Sequence, residues 1–271
     1  MMVQLYPAYP TIEHENAAAT IVNFFAASKE TEAILLVNSC ARGKATRDSC
    51  LDIILMVTPE VDLAADLARL EADWEQFYEN TLIFEMLRSA GKYAHVHLDF
   101  FDGRFTPQPR NEAAGPDSFE LQVGNLMAYS VPLWQRSDYL AELKAAWLPY
   151  YDETLRRERL AMVRWYCLNN LGHIPLYVER GLYFQAFDRL YNAFQEFLQA
   201  LFIARRTYPI AYNKWIREQI VDILGLPELY AQLPRLLEIK QFESKEIAHK
   251  AAILEQLLDE YAPDQVTPQP L

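Results

Sequence analysis

The stretch AILLVNSCARGKATRDSCLDIILMV, residues 33–57, decides how this chain is read. It begins and ends on short apolar runs, AILLVN at 33–38 and CLDIILMV at 50–57. Bounded by polar residues, each fits a buried β-strand. Between them runs a polar, basic loop, SCARGKATRDS, carrying Arg42, Lys44 and Arg47. Backbone amides of a tight turn after a strand cradle phosphate oxygens, and nearby cations neutralise them. Asp52 stands inside the second apolar run, where an unpaired carboxylate is costly to bury. A functional role for Asp52 is therefore preferred over an edge or paired position.

In residue type and spacing the stretch resembles the signature of the polymerase-beta-like nucleotidyltransferases. That signature pairs Gly-Ser, often extended to Gly-Ser-x-Ala-Arg-Gly, with a later Asp-Ser-Asp-x-Asp. This chain has Ser39, then Ala41-Arg42-Gly43, then Asp48-Ser49-Cys50-Leu51-Asp52. Asn38 stands where the family has glycine, and asparagine tolerates positive φ better than most residues. Cys50 stands where the family has the first aspartate. Carboxylates at i and i+2 share a strand face, and two metals about 3.5–4 Å apart stabilise attacking and leaving oxygens together. Cysteine is a soft ligand, whereas Mg²⁺ prefers hard oxygens.

The resemblance implies a fold, an activity and a set of residues. The fold is α+β: a small mixed β-sheet domain at 1–135, an all-helical bundle at 136–262, and a flexible tail at 263–271. The activity is transfer of a nucleoside monophosphate, AMP from ATP, to a hydroxyl of a small molecule or protein. Mg²⁺ is the implied cofactor, and ATP or another nucleoside triphosphate the co-substrate. Asp52 and Asp99 are the implied catalytic metal ligands, with Cys50 at the position of the missing aspartate. Asp99, in HVHLDFF, is the first candidate for a third carboxylate and Asp102 the second; His97 shares the face of Asp99. Asn38, Ser39, Arg42 and Lys44 are the implied nucleotide-binding residues. LFIARRTYPIAYNKWIREQI, residues 201–220, is similar to a segment in the C-terminal helical domain of aminoglycoside-type nucleotidyltransferases, where a lysine and an aromatic residue face the nucleotide, which adds Lys214 and Trp215. Glu179 and Asp188 are candidates for the base that activates the acceptor. The alternative implied by Cys50 is a degenerate member that binds a nucleotide or partner without catalysis.

Working outward, residues 11–28 read as a helix, with Thr11 as N-cap and Ala18, Ile21, Val22 and Phe25 at helical spacing. Pro59 closes the second strand and opens a helix over 60–79. AHVHLDFF at 94–101 alternates like a strand, and Asp102-Gly103 supplies a turn. Residues 103–117 read as a loop, and 118–135 leave helix and strand both open. Beyond 138 the pattern is helical: 152–170 and 176–206, broken at Gly172 and Pro175, then 211–224, 227–240 and 244–261. Tyr183, Phe187, Leu190, Phe194, Phe197 and Leu201 form one apolar stripe, read as core rather than a stacking surface.

The 271 residues carry a formal net charge of −12. Phosphate backbones are bound by Lys and Arg, so this charge argues against a nucleic-acid polymer as partner and leaves a single nucleotide open. Three cysteines, with no Cys-x-x-Cys pair, support neither a disulfide framework nor a zinc ribbon. The absence of a leader pattern and of a membrane-length apolar run sets the expectation of a cytoplasmic protein without a membrane partner. His95 and His97 share a strand face and suit zinc, but with no third Cys or His at ligand spacing a structural role is preferred. Cys50 as a nucleophilic thiol is disfavoured, since no His stands near it in sequence.

Overall fold

The computed structural model describes residues 5–107 and 115–264, and the chain is α+β. Its contacts divide it into two compact units. One comprises residues up to Thr106 together with Gln122–Leu148; the other comprises Pro107–Leu121 and the chain from Pro149 onward.

The first unit is built on four strands: β1 (Thr31–Leu36), β2 (Leu51–Val57), β3 (Val96–Phe101) and β4 (Val131–Gln135), in the order β3-β2-β1-β4. β1 is antiparallel to both β2 and β4, while β2 and β3 run parallel. The parallel pair needs a crossover, supplied by helices α3 (Leu63–Glu79) and α4 (Leu82–Ala90). Because side chains alternate across a strand, Leu51, Ile53 and Leu55 face one way. They join Ile34, Leu36 and Val96 in a core closed by Ala17, Ala18, Ile21 and Phe25 of α1 (Ile12–Phe25), Trp74 of α3, and Phe84 and Leu87 of α4. Cys50, Asp52 and Ile54 take the opposite face, and the register Asp52↔His97 and Ile54↔Asp99 puts His97 and Asp99 there too.

The segment 118–135, left open by the sequence, divides. It forms α5 (Phe119–Val123), a π-helical turn at Gly124–Ala128, and then β4. α6 (Tyr139–Trp147) follows β4 inside the same unit. A single boundary at 136 therefore does not describe the division of the chain. Arg136 donates from Nε to the Thr31 carbonyl at 2.8 Å, and the Ser137 N–H donates to the Glu32 carboxylate at 3.1 Å, so the chain past β4 is fastened to β1. α4 escaped the sequence pattern because it is short and exposes Leu82 and Met86 beside buried Phe84 and Leu87.

In the second unit α7 (Glu153–Glu179) and α8 (Tyr183–Ala204) pack along their lengths. The break expected at Gly172 and Pro175 is absent: α7 continues through both, and the chain turns at Gly181, φ +71°. An interior proline costs about 3 kcal/mol or more. Leu160, Val163, Cys167, Leu171, Ile174 and Val178 form a continuous apolar stripe, and its burial outweighs that cost. The helix expected at 211–224 shrinks to a π-helical turn at Glu218–Ile223, preceded by irregular chain in which Trp215 has φ +60°. α9 (Pro227–Leu237) and α10 (Glu246–Tyr261) complete the unit. Of the tail expected at 263–271, residues 265–271 lie outside the described residues. Among the described residues, no helix is long and apolar enough to cross a membrane.

A buried ionic cluster organises this unit. Arg159 on α7 meets the carboxylates of Glu120, at 2.8 Å, and Asp117, at 2.7 Å, while Gln199 and Tyr151 donate to Glu120, each at 2.7 Å. Burial works against the guanidinium charge, but Glu120 and Asp117 outweigh it and hold the arginine above its ordinary range.

Candidate functional site

The site is assembled at the end of the sheet where β1 stops and β2 and β3 begin. Asn38, directly after β1, adopts φ +56°, the left-handed conformation that the glycine-to-asparagine reading requires. It opens α2, the single turn Asn38–Ala41. The turn closes with Lys44 N–H donating to the Ser39 carbonyl at 2.9 Å, with Gly43 at φ +66°. The Val37 N–H donates to the Asp52 carbonyl at 3.1 Å, so the entrance to the turn is locked to the residue that carries the carboxylate. Lys44 is exposed and Arg42 half-buried.

The other residues of the loop serve the fold. Asp48 accepts the Lys92 N–H at 2.9 Å, and Arg47 Nε donates to the Ala90 carbonyl. Gly91 sits where a Cβ would lie 2.2 Å from the Arg47 carbonyl oxygen, so the loop and the α4–β3 connection meet backbone to backbone. The fully buried His14 donates from Nε2 to the Ser49 carbonyl at 2.9 Å, and its Nδ1 lies 2.9 Å from the Thr11 hydroxyl. Asp48 and Arg47 are thus anchors of the loop, and the sequence offered no sign of the part played by His14.

Asp52 is only 8% exposed. The Cys50 thiol lies 3.3 Å from both of its carboxylate oxygens. His97 Nδ1 lies 3.1 Å from Oδ1, and His97 Nε2 lies 2.6 Å from His95 Nε2. Cys50, Asp52 and His97 each offer a ligand atom, and these atoms all lie within 4.8 Å of one another. The partner that reaches Asp52 from β3 is therefore His97. Asp99 shares the face but stands beside Ile54, two positions further along, and is exposed. Asp102 follows the end of β3 and accepts the Arg104 N–H at 3.0 Å. Beneath the turn, the buried Cys40 thiol is pushed up to about 12, first by burial and then by the charges of Asp52 and Cys50.

Lys214, Trp215, Glu179 and Asp188 belong to the second unit. Lys214 is exposed and lies in irregular chain, its carbonyl accepting from the Gln219 side chain at 3.0 Å. Glu179 is the last residue of α7, and Asp188 lies on α8, 3.4 Å from the Asn192 amide.

The donors at Asp52 are one carboxylate, one thiol and one imidazole. Mg²⁺ demands an octahedral set of oxygens and is usually held by carboxylates and phosphates. This donor set does not fit it as a protein-held ion.

No protein-family model matches the chain. No curated protein matches it either. Among solved structures the chain is similar to a nucleotidyltransferase-like protein from Exiguobacterium sibiricum 255-15, at 18% identity and a TM-score of 0.47, over 91% of this chain and 74% of that one.

Proposed function

We propose that the sheet unit binds a nucleoside triphosphate and supports transfer of its nucleoside monophosphate, AMP from ATP, to a hydroxyl on a small molecule or protein. One observation carries this reading: the left-handed turn at Asn38 is fastened, through Val37 N–H and the Asp52 carbonyl, beside a nearly buried carboxylate. In this reading Asn38 and Ser39 shape the turn around the phosphates, and Arg42 and Lys44 neutralise them. The acceptor oxygen bonds to the α-phosphorus as the bond to the β-phosphate bridge breaks, and pyrophosphate leaves with that electron pair. The acceptor proton passes to a general base. Magnesium has no protein-held place in this scheme, because the donors at Asp52 are not its own.

Titration calorimetry with ATP, followed by release of labelled pyrophosphate in the presence of candidate acceptors, tests the reading. Binding that is lost in Lys44→Ala and Ser39→Ala, with pyrophosphate release, supports it. Saturable binding without release supports a nucleotide-binding protein that has lost turnover. No binding of any nucleoside triphosphate overturns both.

A further inference from the structure

The cluster beside the turn has a chemistry of its own. We infer that Cys50, Asp52 and His97 form a binding site for a thiophilic divalent cation, Zn²⁺ or an ion of similar preference, with His95 as the positioning residue behind it. The site rests on the side-chain geometry and goes beyond nucleotide transfer, which ATP binding tests separately.

Three observations carry the inference. The first is donor chemistry. A thiolate, a carboxylate and an imidazole are all ordinary zinc ligands, and sulfur and nitrogen donors select against Mg²⁺. The second is spacing. Zinc bonds of about 2.0–2.3 Å place the donors of a tetrahedron roughly 3.3–3.7 Å apart. The Cys50 sulfur lies 3.3 Å from each Asp52 oxygen, and His97 Nδ1 lies 3.1 Å from one of them. Small side-chain rotations admit the ion, and the Cys50 proton passes to solvent when the thiolate binds. Three protein ligands leave the fourth position open, as in zinc sites where a water or substrate binds.

The third observation is the pair of histidines. Their Nε2 atoms lie 2.6 Å apart, far too close to share a metal and right for one proton between two ring nitrogens. A His97 that binds metal through Nδ1 keeps its proton on Nε2 and donates it to His95. That hydrogen bond fixes the tautomer and the ring orientation, as the outer partner of a metal-bound histidine does elsewhere. The register makes the arrangement possible: β2 and β3 run parallel with Asp52 opposite His97, so residues 95, 97, 50 and 52 project from one face.

The test uses the full chain, stripped with a chelator, and Co²⁺, Zn²⁺ and Mg²⁺ as chloride salts without nucleotide. Co²⁺ is expected to produce a near-ultraviolet thiolate charge-transfer band and intense visible bands of a four-coordinate ion, both erased by Zn²⁺ and untouched by excess Mg²⁺. Cys50→Ser removes the charge-transfer band, while Cys167→Ala, whose thiol lies in the other unit, leaves it intact. His97→Ala, at a half-exposed position, weakens Zn²⁺ binding. His95→Phe weakens it by about 10–100-fold while the cobalt spectrum keeps its thiolate band, the signature of a positioning residue. Cys50→Asp shifts preference away from Zn²⁺ towards Mn²⁺ and Mg²⁺. A cobalt spectrum without thiolate character, one that survives in Cys50→Ser, or Mg²⁺ binding as tight as Zn²⁺ binding overturns the inference.

Discussion

Replacing Asp52 by asparagine is expected to make the metal-stripped protein more stable. The residue is 8% exposed, and among the described residues its carboxylate has two side-chain partners, Cys50 at 3.3 Å and His97 at 3.1 Å. A thiol is a weak donor. The His97 side chain is 55% exposed, so its attraction is screened by water. Two such contacts contribute about 1 kcal/mol each, whereas withdrawing an ionised carboxylate from water costs several kcal/mol. The difference leaves the aspartate unfavourable by about 1–2 kcal/mol. Asparagine has the same shape, keeps an acceptor for Cys50 and removes the charge. Urea denaturation in the presence of a chelator should therefore show a higher midpoint for Asp52→Asn, with the slope unchanged. Added Zn²⁺ should reverse the order, because an ion at a hundred times its dissociation constant stabilises only the parent, by about 2.7 kcal/mol. A chelated Asp52→Asn protein that is less stable than the parent by more than about 1 kcal/mol would refute this reasoning and make the carboxylate a structural anchor.

Asn38→Gly should leave stability unchanged or raise it by up to about 1 kcal/mol, while Asn38→Val should lower it by about 1–3 kcal/mol, since φ +56° suits glycine and opposes β-branching; thermal melts check both. Arg159→Met should cost about 3–5 kcal/mol, because it strands Glu120, which is fully buried, with Tyr151 and Gln199 as donors. Exchanging Glu120 for Gln in that background should return part of the loss; a single variant that unfolds like the parent would show that the cluster does not trap charge. Burial holds Cys40 neutral in the folded state up to about 12, whereas unfolded it ionises near its ordinary value of 9.0. The unfolded state therefore binds fewer protons between those values, and stability should fall as pH rises through that window. The fall should be shallower in Cys40→Ala, as denaturation midpoints measured above and below the window will show.

What the sequence disclosed follows from how local each signal is. The strands at 33–38 and 50–57 were legible from short apolar runs, and they appear as Thr31–Leu36 and Leu51–Val57. Positive φ at Asn38 was expected from the family resemblance, which sets asparagine where the family has glycine, and Asn38 adopts φ +56°. His97 could be placed on the face of Asp99, but not opposite Asp52. That choice depends on the register of two parallel strands joined by a long helical crossover, and no local pattern encodes it. A two-residue shift would have put Asp99 in its place. α7 shows the reverse case, in which Gly172 and Pro175 are sound local signals for a break and the stripe from Leu160 to Val178 overrides them. The anchoring of the loop by His14 and Gly91 was invisible for the reason that hid the register: both act on residues distant in sequence.

Cys50 then admits two physical meanings, and its neighbours choose between them. A carboxylate site that had merely lost one ligand needs nothing polar beside the remaining aspartate, and an aliphatic residue would seal it. Here the substituted position carries a donor aimed at both Asp52 oxygens, and the facing strand supplies an imidazole aimed at the same group, backed by a second imidazole within hydrogen-bonding distance. The nearly buried carboxylate beside the Cys50 thiol costs the fold stability, since its charge is withdrawn from water. A cation repays that cost, and sulfur and nitrogen determine which cation. On the proposed reading, Cys50 and His97 set which ion the end of this sheet would hold. The proposed nucleotide binding rests instead on the turn at Asn38, which is left-handed with Cys50 in place.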